Sequence, residues 1–378
     1  MKNTNIGIEP NISWCSNCLA MSTRPRITFD YRGFCNACVW MEQKKKINWD
    51  LRLEELNHLL DRHRKNNNEF DCLVPMSGGK DGSYVAYNLK HKFGMNPLCV
   101  TITPPLPLPL GEANLRSFVE RGYDHITVNA NYEAMRILNK TGFIEMGFPY
   151  YGWLTAITVA PIKIAGVHNI GLIFYGEDGE VEYGGSTETS NNPIYSTEYQ
   201  KKVYLEGGYE NVIKSSGLNA KDLNFFTYPK YDQDGENSIE LTHWSYFENW
   251  DPYRNYLIAK EFCGLKESEN TNQGTFTNFS QNDQALYGLH AYLMYLKFGF
   301  GRATQDACIE IRRGAMDRNQ AINLVSIYDG EYPEIFNDLY LDYYEMSQKQ
   351  FDEVLDKYAN KALFSKIDGR WKAKFKVA

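Results

Sequence analysis

Three stretches of this chain carry residues whose types and spacing suit chemistry. The first is Ser77-Gly78-Gly79-Lys80-Asp81-Gly82-Ser83. The apolar run Cys72-Leu73-Val74 before it reads as a buried strand, and Tyr84 to Lys90 after it reads as the first turns of a helix. A strand, a glycine turn and a helix start together build an anion site, because free N–H groups and the helix dipole point at whatever lies ahead. Glycines admit a phosphate close to the backbone. Lys80 and the hydroxyls of Ser77 and Ser83 add donors, and Asp81 adds a carboxylate. The competing reading is an ordinary glycine-rich turn. The second stretch, Gly176 to Gly185, carries Glu177, Asp178, Glu180 and Glu182 directly after the strand pattern Ile170 to Tyr175. Carboxylates at the carboxyl end of a sheet strand suit Mg²⁺ or polar groups of a ligand, against a solvated acidic turn. The third stretch is Lys297-Phe298-Gly299-Phe300-Gly301-Arg302, followed by Arg312, Arg313 and Arg318. These cations suit phosphate, and helix C-terminal charge explains them equally well.

Cys15-x-x-Cys18 and Cys35-x-x-Cys38 have the spacing of a four-thiolate zinc site. Between the pairs, Arg26 to Phe34 reads as a β-hairpin turning at Gly33. A segment this short cannot hold itself together by burial, so a structural Zn²⁺ is expected on Cys15, Cys18, Cys35 and Cys38. A redox pair and chance are the competing readings.

The elements that must position these residues alternate. Leu51, Leu56, Leu59 and Leu60 share one side of a helix over Asp50 to Asn66. After the glycine loop come a strand over Pro97 to Ile102, a Pro-rich loop to Leu110, and a helix over Glu112 to Arg121. A strand over Tyr123 to Val128, a helix over Tyr132 to Leu138 and the strand over Ile170 to Tyr175 follow. This order predicts an α/β fold with a doubly wound, mostly parallel sheet. Thr101, at the end of the second strand, falls at the sheet edge where ligands bind. From Ser186 to Ser245 the pattern is irregular and reads as an insertion or lid. Asp251-Pro252 opens a helix to Cys263, and Leu286 to Leu296 is a further helix. The segment after Pro333 reads as helices packed on the outside, with Lys366 to Lys376 as a solvated helix end.

The chain has 378 residues, a net charge of −7 and eight cysteines. That supports a real core, and an acidic surface argues against nucleic-acid binding. Met1 to Pro10 has no apolar leader pattern, and the apolar run Trp153 to Val167 is too short to span a bilayer. A cytoplasmic protein with no membrane partner is expected, its cysteines being thiols or metal ligands.

The glycine loop resembles the pyrophosphate loop of ATP pyrophosphatases, Ser-Gly-Gly-x-Asp-Ser, with Gly82 standing where the second serine usually sits. Taken whole, the chain resembles the N-acetyl sugar amidotransferase family, the acetamidino-forming enzymes of pseudaminic-acid and O-antigen synthesis. The matching residues are Cys15 to Cys38, including Arg24-Pro25-x-Ile27-x-Phe29-Asp30, then Ser77 to Tyr84, Tyr175 to Asp178 and Tyr246 to Pro252. Thr277-Asn278-Phe279, Lys297 to Arg302 and Ile311-Arg312-x-Gly314 complete the set. The resemblance implies a PP-loop fold of the adenine nucleotide α-hydrolase type that uses ATP and Mg²⁺ to activate an acetamide oxygen for replacement by ammonia. It places the nucleotide on Ser77, Gly78, Gly79, Lys80, Asp81, Gly82, Ser83, Thr101, Gly176, Glu177 and Lys297. Asp81 and Asp178 would position metal or water, and Lys80 and Arg302 would contact phosphate.

The expected division is a zinc module over 1–45, a helical connector over 46–69, an ATP pyrophosphatase domain over 70–315 with an insertion at about 186–250, and a helical region over 316–378. No glutaminase is expected in the chain: Lys2 follows the start methionine, and Cys263 lacks a glycine elbow. The resemblance therefore implies a separate glutaminase and an ammonia-channelling barrel protein as partners, beside an N-acetylated sugar substrate. The alternatives are a tRNA thiolase, which also combines such a loop with Cys-x-x-Cys pairs, and a non-catalytic ATP-sensing module.

Overall fold

The computed structural model describes residues 12–65, 67–229 and 238–378. The leader expectation for Met1 to Pro10, and 230–237 of the expected insertion, lie outside them. Strands β1 (Cys72–Pro75), β2 (Pro97–Ile102), β3 (His125–Val128), β4 (Leu172–Tyr175), β5 (Ile194–Tyr195) and β6 (Glu240–His243) form one sheet in the order β3-β2-β1-β4-β6-β5. All neighbours are parallel except β5, which runs antiparallel to β6.

Alternation along the strands explains the two helical layers. Leu73, Leu98, Val100, Ile102 and Ile173 point to one face and join a core built with the helices Tyr132–Met146, Tyr151–Val167 and Leu286–Phe298. Cys72, Val74, Cys99, Leu172 and Phe174 point to the other face, against Trp49–His63, Lys80–Tyr87 and Pro252–Cys263. Both faces are covered, as a parallel sheet requires, so the doubly wound expectation holds. β1 and β4 are neighbours in the sheet but far apart in the chain. The connection from β1 runs outward through β2 and β3 before the chain returns to β4, which makes the β1/β4 gap the switch point where ligands bind.

A third apolar cluster joins Cys15, Cys18, Leu19, Cys35 and Cys38 to Ala303, Ala307, Ala321 and Val325. Alanines at helical spacing let the cysteine module sit close against the helices Arg302–Arg313 and Arg318–Tyr328. The module also grips the short helix Gly179–Tyr183: Trp40 Nε1 and Lys44 Nζ reach the Glu182 carboxylate at 2.9 and 2.8 Å.

Several elements differ from their sequence reading. Pro109 is not the end of a loop but the first residue of the helix Pro109–Glu120, where its missing N–H costs nothing. Within the expected insertion, Glu240–His243 is a parallel strand of the main sheet, missed because only Leu241 and Thr242 carry strand character. The C-terminal helices are not external: Tyr340, Tyr344 and Phe351 are wholly buried in the main core. The tail is a hairpin rather than a helix end. Strands β7 (Phe364–Ile367) and β8 (Arg370–Ala373) pair around Asp368-Gly369, both at positive φ. Among the described residues, no helix is long and apolar enough to cross a membrane.

Candidate functional site

The glycine loop is held from beneath. Met76 N donates to Val100 O at 2.9 Å, and the buried Thr101 hydroxyl donates to Met76 O at 2.7 Å. Gly78 has φ +81°, and a Cβ there would lie 2.5 Å from Leu115 N, so the helix Pro109–Glu120 presses directly on the turn. Gly79 caps the helix Lys80–Tyr87 without a side-chain acceptor, which leaves the first N–H groups free for a ligand. Gly82 has its own reason: a Cβ would meet Met76 Cβ at 2.5 Å. The serine usual at that position has no room here. Ser83 does not replace it, being fully buried outside the cavity.

The loop opens into a cavity of about 630 Å³ at the β1/β4 gap. This structure gathers Ser77, Gly78, Gly79, Lys80, Asp81, Gly82, Gly176, Glu177 and Arg302 on its wall. Lys80 pairs with Asp81 Oδ2, while Asp81 Oδ1 is buried without a partner. Trp250 Nε1 donates to Glu177 Oε2 at 3.2 Å. Burial pushes the Glu177 carboxyl upward, and the Asp81 charge beside it adds to the shift. Arg302 is aimed by Asp306 at 2.9 Å, itself held by the Thr275 hydroxyl at 2.6 Å. The Arg302 Nε is buried and unpaired.

Besides the module cysteines, four of the expected site residues do not line this cavity. Thr101 supports the loop, and Ser83 lies beneath it. Lys297 turns away, its Nζ on Met146 O at 2.9 Å. Asp178 caps the helix Gly179–Tyr183 through Glu180 N at 3.1 Å and Val181 N at 3.4 Å, and accepts from Thr189. Its neighbour Glu177 faces the cavity, because one residue of backbone after the strand reverses the side.

Beyond the loop the wall is aromatic. Phe148, Tyr150, Trp153, Tyr287 and His290 form one side. Burial, with Lys297 and Arg302 nearby, pushes the His290 imidazole down to about 3, so it is neutral. Asp283, beside Ser77 and Tyr287, is pushed up to about 6 by burial. On the other side, the His243 ring stacks on Tyr195 with centroids 4.4 Å apart. The hydroxyls of Tyr175 and Tyr195 and the Nε2 of Gln200 are buried there without partners. Sequence reasoning did not name Arg24, Gln200, His243 or Asp283, which reach the wall from four separate segments; each stood in a stretch already noted, but nothing local marked these residues within it.

The four module cysteines converge. Cys15 and Cys38 sulfurs are 3.7 Å apart, as are those of Cys18 and Cys35, and all four lie within 4.8 Å of one another. Sulfurs at about 2.3 Å around a tetrahedral Zn²⁺ would sit about 3.8 Å apart, so the donor set fits a single ion. A four-iron cube would spread its cysteine sulfurs farther. Backbone N–H groups of Cys18 and Cys35 point at the Cys15 sulfur at 3.5 and 3.1 Å, as suits a thiolate. None of the eight cysteines lines the cavity.

Residues 273–377, which include Asp283, His290 and Arg302, match the family model described as LPS biosynthesis protein WbpG-like, C-terminal domain. An uncharacterized protein of Methanocaldococcus jannaschii is 33% identical over 89 residues, 23% of this chain and 32% of that protein. The match spans about a third of the length of that relative. Among solved structures, the U34-tRNA thiolase NcsA from Methanococcus maripaludis, with its 4Fe-4S cluster, aligns over 70% of this chain and 79% of that one. The identity is 12% and the TM-score 0.32, a likeness too slight to bear on chemistry.

Proposed function

We propose that this chain is an ATP-dependent amidotransferase that converts an N-acetyl group of a bacterial surface sugar into an acetamidino group, in pseudaminic-acid, flagellin-glycan or LPS O-antigen synthesis. One observation carries the reading. A glycine loop with free helix N–H groups and two facing carboxylates opens onto the same cavity as an aromatic wall, and that cavity is large enough for a nucleotide and part of a sugar. The match of residues 273–377 to a domain named for LPS biosynthesis supports a sugar as the acceptor.

An acetamide carbonyl does not yield to ammonia, because its oxygen is a poor leaving group. In the proposed exchange the amide oxygen attacks the α-phosphorus of ATP and pyrophosphate departs. Ammonia then adds to the imidate carbon, and the oxygen leaves with AMP. The chain's own residues place and stabilise charge. Free N–H groups at Lys80 to Gly82 hold the departing pyrophosphate. Arg302, fixed by Asp306, meets charge that develops on the phosphate. Asp81 and Glu177 are the carboxylates suited to Mg²⁺, which supplies charge neutralisation when bound; the unpartnered Asp81 Oδ1 fits that role. The aromatic wall suits the faces of a sugar ring. A cavity without cysteine favours this reading over sulfur transfer. Ammonia would come from a separate glutaminase through a channelling partner, and the setting would be the cytoplasm.

The test is a mass-spectrometric screen of N-acetylated sugars with ATP, Mg²⁺ and ammonium. The reading expects a product in which an oxygen has been replaced by NH, with AMP and pyrophosphate formed in step. Sulfur transfer to tRNA without any sugar product would end it.

A further inference from the structure

Arg24 belongs to the cysteine module, six residues after Cys18, yet its side chain lines the large cavity. The other cations on that wall are accounted for. Lys80 is paired with Asp81, and Arg302 with Asp306. Among the described residues Arg24 forms no ion pair, and its Nε is buried with no hydrogen-bond partner. The acid that acts on it most, Glu180, is already taken: both its oxygens accept from Arg26, and one also accepts from Ser186 N. Its other titratable neighbours are Cys308, Arg312 and Tyr183; Arg312, a second cation, is itself directed at the Cys18 sulfur at 3.8 Å and Glu182 O at 3.1 Å. The ring of Phe300, 5.8 Å from the Arg24 guanidinium carbon, offers only a weak compensation. A half-buried guanidinium whose Nε is buried and unpaired, beside a like charge, is costly to keep. It is the mark of a group waiting for an anion.

The backbone holds this residue in place. The Thr23 hydroxyl donates to Phe298 O, and Met21 packs on Gly299, where a Cβ would meet its Cε at 2.8 Å. Arg24 and Arg302 therefore come from two segments that are clamped together. Tyr183, from the short helix that follows β4, lies near Arg24, Arg302 and Glu177. Glu180 and Tyr183, the cavity-lining residues near Arg24, belong to the acidic stretch after β4.

We infer that Arg24 recognises an oxyanion of the acceptor sugar, a carboxylate or a phosphate, so that the cysteine module reads the substrate rather than only stabilising the fold. This rests on the acceptor reading above and assigns one residue to the charged group of such a sugar. A guanidinium presents two parallel donors to either group.

The test is equilibrium binding to the intact chain, followed by tryptophan fluorescence, since Trp153 lines the cavity. The probes are N-acetylneuraminate, UDP-N-acetylglucosamine, neutral N-acetylglucosamine and ATP with Mg²⁺. The variants are Arg24→Met and Arg24→Lys, each checked for zinc content and melting temperature. We expect Arg24→Met to weaken a charged N-acetyl probe roughly tenfold to a hundredfold, with neutral sugar and ATP binding unchanged. Loss confined to N-acetylneuraminate identifies the carboxylate, and loss confined to the UDP sugar identifies the phosphate. Arg24→Lys keeps the charge and loses the fork, so it should fall between; it also serves if the methionine variant does not fold. Equal binding of charged sugars to wild type and variants, or a loss that falls on ATP instead, overturns the inference and leaves the amidotransferase reading standing. Failure of every N-acetylated probe to bind the wild type overturns both.

Discussion

Gly176 and Asp81 touch across the gap between two parallel strands. A Cβ on Gly176 would stand 3.1 Å from Asp81 Cβ and 3.3 Å from the Trp250 ring. The loops leaving β1 and β4 are therefore packed against each other, and the unpartnered Asp81 Oδ1 is held beside Glu177 by that contact. Asp81→Asn keeps the shape and removes the charge. It is expected to lower kcat by about 10²-fold or more, with little change in melting temperature. Gly176→Val should lower activity too, by pushing Asp81 aside. Steady-state release of pyrophosphate measures both.

Gly82→Ser restores the residue usual in pyrophosphate loops and should nevertheless do harm. Its Cβ would lie 2.5 Å from Met76 Cβ. Overpacking of this kind costs about 1–3 kcal/mol. Chemical denaturation of the variant is expected to show that loss, with no gain in affinity for ATP.

The sheet was legible because β1, β2 and β4 are short apolar runs separated by helical patterns, and period-two alternation set their faces. The glycine loop was legible because its chemistry is local. Asp178 and Glu177 were not separable by sequence, since both are acids at the end of β4 and only the backbone decides which turns inward. Lys297 and Arg302 pose the same difficulty across a Gly-Phe-Gly turn. The C-terminal hairpin did carry a signal, Asp368-Gly369 between Phe364–Ile367 and Arg370–Ala373, but the lysines around it read as helix charge. The docking of the cysteine module on Ala303 and Ala307 is a tertiary fact with no local mark.

The cysteine module should hold Zn²⁺ alone, without iron chromophore absorbance, because its sulfurs are too close for a cube. Cys35→Ser is expected to lose the metal. It should also destabilise the chain beyond the module, since Cys35 shares a core with Ala303, Ala307, Ala321 and Val325. Elemental analysis and thermal melts, with and without a chelator, check both points.

Asp283 gives a pH signature in stability. Burial raises its carboxyl to about 6 in the folded chain, above the unfolded value of 3.8. Between those values the folded state binds the extra proton, so this group's contribution favours folding at low pH and is lost as pH rises toward 6. Asp283→Asn removes the dependence. The variant should match wild type near pH 4 and become more stable than it above pH 6, by at most about 3 kcal/mol. Denaturant midpoints across that range measure the difference.

In the proposed reaction the amide oxygen of the acceptor becomes the leaving oxygen by attack on the α-phosphorus. Labelling the acetyl carbonyl with heavy oxygen and following turnover by mass spectrometry tests it directly. The label is expected in AMP and absent from the amidine product. Label retained in the sugar, or recovered in pyrophosphate or water with unlabelled AMP, would contradict it.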